Sequence, residues 1–174
     1  MNVIICHDFP FSTGGYLQAI RLDSVVSAHV QQVPRSRDVL DGIRTSDPEL
    51  VAEWEAGRIP DLLEFLLTAF SRPILLPLLR SGEPSFGDVD ACFGYIEGLS
   101  SNESNHFRES MLFGVFEQFL EGRDIVLRAY RHSLPVTRSR IVGMLSAYPE
   151  TYNEIRPDLE ALDSSTRRSA APRP

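Results

Sequence analysis

Between residues 103 and 121 the apolar side chains Phe107, Met111, Leu112, Val115, Phe116 and Phe119 recur three and four apart over more than three turns. That spacing lines one face of an α-helix and no face of a strand. The opposite face carries Glu103, His106, Ser110, Gly114, Glu117 and Glu121. A stripe this wide has to be buried against other elements, and the neighbouring sequence supplies helices to do it.

From residue 47 onward the punctuation is that of consecutive helices. Ser46 or Asp47 caps one that has Pro48 in its first turn and Gly57 after Trp54. Pro60 opens the next, in which Leu62, Leu63, Leu66, Leu67 and Phe70 share a face. Pro73 and Pro77 each lack an amide donor and predict a kink or break near Arg72, with the element ending at Gly82. Residues 86–99 follow, with Phe86, Val89, Phe93 and Ile96 on one stripe. Residues 124–132 and 137–147 read as two shorter helices divided at Pro135, and a last helix starts at Pro149 and includes Leu159. Short joints favour antiparallel neighbours. The expected fold is therefore all-α, an irregular stack of antiparallel helical hairpins over residues 47–163. Phe93, Ile96, Phe107, Met111, Val115, Phe116 and Phe119 form its core.

Residues 1–46 read as an irregular N-terminal segment, with a short strand at Val3, Ile4 and Ile5, a turn at Ser12-Thr13-Gly14-Gly15 and a loose helical pattern through Leu17, Ile20, Val25 and Val26. Residues 164–174 have no apolar period and read as a disordered tail.

Charge narrows the function. The chain of 174 residues carries 24 acids against 17 bases, all of them arginine, for a net charge of -7. An acidic surface argues against general nucleic-acid binding, which needs cations for phosphate contacts. The charge is uneven: residues 47–121 hold 14 acids and 4 arginines, net -10, whereas residues 123–140 hold five arginines and Asp124, net +4. Cys6 and Cys92 lie far apart and fit no metal or redox spacing, so they read as reduced thiols in the cytoplasm. The first residues lack a secretory pattern, and the most apolar stretch, residues 59–79, is interrupted by Asp61, Glu64, Arg72 and two prolines. A cytoplasmic protein without membrane or nucleic-acid partners is expected.

Candidate chemistry is sparse. Cys6-His7-Asp8 has the residue types of a nucleophile, base and orienter, but chain neighbours point to alternate faces. Glu103-x-x-His106 is half of a di-iron motif with no second half. Ser12-Thr13-Gly14-Gly15 lacks the lysine and glycine spacing of a phosphate loop. Glu97 and Glu117, on helices read as a hairpin, are the pair that an acid/base or metal-dependent enzyme would use; on the alternative reading each occupies its helix's wet face or meets an arginine. No metal, cofactor or catalytic residue is expected from spacing alone.

Two stretches, Cys92-Phe93-Gly94-Tyr95-Ile96-Glu97-Gly98-Leu99 and Val115-Phe116-Glu117-Gln118-Phe119-Leu120, together with Gly143-Met144-Leu145, resemble a group of small all-helical bacterial proteins of undefined activity. The likeness spans residues 47–147 and rests on amphipathic patterns. It implies a protein of the immunity type, made beside a bacterial toxin to neutralise it, and brings no catalytic residues. The expectation is then a protein-binding module whose acidic face, with Asp90, Glu97, Glu103, Glu109, Glu117 and Glu121, covers the basic cleft of a toxin. An enzyme using the paired glutamates, or an adaptor or secretion chaperone, are the alternatives.

Overall fold

The computed structural model describes residues 20–81 and 85–169. The strand expected at residues 3–5, the turn at 12–15 and the Cys6-His7-Asp8 triplet lie outside the described residues. Among the described residues the fold is all-α, with nine helices and no strand. They are α1 (Val25–Gln32), α2 (Ser36–Ser46), α3 (Pro48–Glu55), α4 (Leu62–Arg80), α5 (Phe86–Ser100), α6 (residues 105–121), α7 (Arg123–His132), α8 (Pro135–Leu145) and α9 (Pro149–Ser169).

The helix starts follow from local chemistry. Asp47 accepts a hydrogen bond from the Leu50 amide at 3.0 Å and Asp61 one from the Glu64 amide at 3.1 Å, capping α3 and α4. Gly57 closes α3 at a φ of 75°, and a Cβ there would stand 3.1 Å from the Asp23 carbonyl oxygen, so glycine suits the turn on two counts. Ser104 caps α6, accepting from the Phe107 amide at 3.4 Å.

Two expectations about regular elements are corrected. Residues 25–46 are not irregular: they form α1 and α2, which place Val25, Val26, Val33 and Leu40 in the common core. The loose helical pattern at Val25 and Val26 corresponds to α1, whereas α2 was not expected from the sequence. The prolines do not break α4 either. Residues Leu66–Leu75 wind as a π-helix, in which the Leu76 amide reaches the Ser71 carbonyl five residues back. The wider turn accommodates a residue that has no donor and crowds the preceding turn. At the other end of the chain, α9 continues to Ser169 through the first residues read as tail.

α4 and α5 form the centre. α4 packs on α2 and α6, and α5 packs on α1, α6 and α8. By length and composition α4 is apolar enough to cross a membrane, but 56% of its apolar window is buried inside this fold. All seven residues expected in the core are buried in one cluster with Trp54, Phe65, Phe70 and Tyr95. Three face assignments fail. Ser110, placed on the wet face of α6, is buried. Phe86, placed on the α5 stripe, is 70% exposed. Gly114, placed on the wet face of α6, is buried where α6 meets α4. A Cβ there would come within 3.0 Å of the Leu66 Cβ, so glycine permits the close approach. Residues Leu112–Phe116 are also π-helical, and the Ser71 hydroxyl donates to the Gly114 carbonyl at 2.5 Å, joining the two widened segments.

Candidate functional site

The acidic residues expected to form the binding face have different fates. Glu97 is buried, and this corrects its assignment to a wet surface. Its Oε1 accepts the Val136 amide at 2.9 Å, and its Oε2 accepts the Thr137 amide at 2.7 Å and the Thr137 hydroxyl at 2.6 Å. These are the free donors of the first turn of α8, whose N-cap position is held by Leu134, a residue with no side-chain acceptor. Glu97 therefore caps α8 from another helix, and the local positive end of the helix favours the carboxylate.

Glu117 is engaged by a different partner. The Glu117 carboxylate accepts the Tyr148 hydroxyl at 2.6 Å and holds that phenol above its ordinary range. The two glutamates share no hydrogen-bond partner, and each carboxylate of the alternative acid/base pair is engaged separately. A clue was present in the sequence: Leu134-Pro135-Val136-Thr137 starts a helix without a capping side chain, and Glu97 interrupts an apolar stretch.

The other four acids meet groups of the chain itself, or none. Asp90 contacts His132 Nδ1 at 2.8 Å, Glu103 pairs with Arg140 at 3.2 Å, and Glu121 pairs with Arg80. Glu109 is exposed and has no ion pair among the described residues. The arginine-rich stretch at 123–140 is largely taken up in the same way: Arg123 meets Asp158, Arg138 meets Asp163, and Arg128 donates to the carbonyls of Leu79 and Ser81 at the end of α4.

Groups capable of chemistry are either buried or isolated. Burial, followed by the nearby Asp88, pushes the Cys92 thiol up to about 12, which leaves little nucleophilic thiolate. His106 is exposed at the start of α6, and among the described residues no three His, Cys, Asp or Glu side chains gather to hold a metal ion.

Sequence reasoning missed His29. It is fully buried, neither ring nitrogen has a hydrogen-bond partner, and its ring lies 5.4 Å from Phe65, 5.8 Å from Phe70 and 5.5 Å from Tyr95. Burial without a partner disfavours the imidazolium and lowers its pKa to about 4. Between about pH 6.5 and 4 the unfolded chain then binds a proton at His29 that the folded chain refuses. Stability should fall as the pH drops through that window, by up to about 1.4 kcal/mol per unit. Urea melts at pH 7, 6, 5 and 4 check this. His29→Leu should remove this part of the slope and be no less stable at pH 7; an unchanged slope would assign the acid sensitivity to other groups.

A groove of about 670 Å³ opens between α6, α8 and the end of α5. Leu99, Phe107, Met111, Leu112, Phe116 and Met144 supply its apolar lining, and Asn102, Asn105, Arg108, Glu109 and Arg140 supply polar groups.

What these features define is an all-α domain with a fully used core, an internally capped carboxylate and an open groove. No family model matches the chain, and no curated protein or solved structure matches it.

Proposed function

We propose that this is a protein-binding module of the immunity type, which neutralises a cognate bacterial toxin by covering a basic cleft with acidic helical surface. The observation that carries the reading is an excess of exposed carboxylates that the chain leaves without cations. Asp38, Glu49, Glu53, Glu64 and Glu109 are exposed and have no ion pair among the described residues. Glu49 and Glu53 stand four apart on α3, where like charges repel. A cationic partner relieves that repulsion and is steered by it. Asp90, Glu103, Glu117 and Glu121 remain near the surface in contacts of low value that can exchange for a partner's cations.

The test is neutralisation of the toxin encoded beside the gene, with association rates measured at low and high salt. Glu49→Arg/Glu53→Arg and Glu109→Arg alter exposed residues, so folding should be nearly unchanged. We expect one of them to slow association at least tenfold and to flatten its salt dependence. Equal rates for both variants, or the absence of any toxin neutralised by the native chain, would overturn the reading.

A further inference from the structure

We propose that α1 is an acid-released latch: a proton on His29 frees this one helix from the α4–α5 pair while the rest of the domain stays folded. The surroundings of the ring carry the argument. His29 is fully enclosed, Phe65 and Phe70 of α4 and Tyr95 of α5 are its walls, and neither nitrogen has a hydrogen-bond partner. Only the neutral ring suits such a place, because an imidazolium there would lack both water and a counter-ion. The packed elements supply no counter-ion. On α4, Glu64, Arg72 and Arg80 are exposed; on α5, Asp88 lies beside Cys92, Asp90 meets His132 and Glu97 caps α8. The Tyr95 phenol, which burial keeps neutral, donates to the Val25 carbonyl at 3.3 Å. On α2 and α3, Arg44 pairs with Asp41 and Glu55, while Arg37, Asp38, Glu49 and Glu53 are exposed. Asp23, ahead of α1, pairs with Arg21 in solvent, and α1 itself has no other ionisable side chain.

Two features confine the response to α1. Its buried side chains are Val25, Val26 and His29, so His29 is the one that anchors its second half. α2 keeps a separate seat on α3 and α4 through Leu40. The joint between α1 and α2 turns at Arg35, whose φ of 60° is left-handed and uncommon for a long side chain, and it serves as the hinge. Opening uncovers the rings of Phe65, Phe70 and Tyr95, and return to neutral pH closes α1 over them again. The imidazole titrates at about 4 when enclosed, against about 6.5 in water. The open fraction therefore rises about threefold from pH 7 to 6 and about twentyfold from pH 7 to 5.

The experiment is residue-resolved amide hydrogen exchange of the full chain at pH 7, 6 and 5, with rates divided by their intrinsic values and repeated in low urea. At each pH the amides of residues 29–32 should open more readily than those of Phe93 and Ile96 on α5. They should gain about twentyfold in opening from pH 7 to 5. Their urea dependence should be shallower than that of α5, since a local opening exposes less surface than global unfolding. His29→Leu should hold the α1 values level across the pH range. Equal opening and equal urea dependence for α1 and α5 would make the response global and overturn the latch. So would α1 exchange in the native chain that is indifferent to pH, or an acid acceleration that persists in His29→Leu. Should that variant fail to fold, the comparison of α1 with α5 in the native chain decides by itself.

Discussion

Glu97→Ala is expected to lower the unfolding free energy by about 4 kcal/mol, measured by urea denaturation near neutral pH. Three donors lose their acceptor at once: the amides of Val136 and Thr137 and the Thr137 hydroxyl. Each buried donor left unsatisfied costs about 1 to 3 kcal/mol, and water entering beside Val136 recovers part of the total. The α8 start has no local substitute, because Leu134 offers no acceptor and Pro135 fixes the first turn. Glu97→Gln separates shape from charge. Its amide keeps one acceptor but turns an NH2 toward Thr137, so about half of the loss should remain. Amide exchange at Val136 and Thr137 should accelerate in both variants before the rest of the domain responds. A loss below about 1 kcal/mol for the alanine variant would mean that the cap is not what holds α8.

Phe116→Ala should cost about 3 to 5 kcal/mol, the range for deleting a buried phenyl ring and leaving its space unfilled. The ring is 3% exposed, stands 6.2 Å from Phe119 in an edge-on arrangement, and belongs to the cluster that also holds Phe93 and Val115. Phe116→Leu keeps most of the volume and should cost much less. The measurement is the same urea series. A change below about 1 kcal/mol in the alanine variant would place the ring outside the core and undo the face assignment of α6.

The sequence made the apolar stripe of α6 legible because residues three and four apart share a helix face whatever the rest of the chain does. The cap of α3 and the glycine at 57 were legible for the same reason: donor and acceptor lie within four residues of each other. Where the outcome depended on distant residues, the reading failed. Gly114 looked like a gap in a polar face until α4 was laid against it, and the prolines of α4 looked like breaks until the helix widened around Pro73.

The candidate acidic face divides along the same line. Its composition is set by the sequence, and the net charge of -10 over residues 47–121 holds for any fold. Which carboxylates remain available is not. Glu97 and Glu109 are both glutamates on helices, yet one lies under α8 with both oxygens engaged and the other stands at the groove with no cation. His29 is equally silent in the sequence, since nothing near it names Phe65, Phe70 and Tyr95 as its walls. Periodicity and capping act over a few residues and survive without tertiary contacts. Burial, charge pairing and the groove between α6 and α8 arise only when segments some 40 residues apart, such as Glu97 and Thr137, are brought within hydrogen-bond distance.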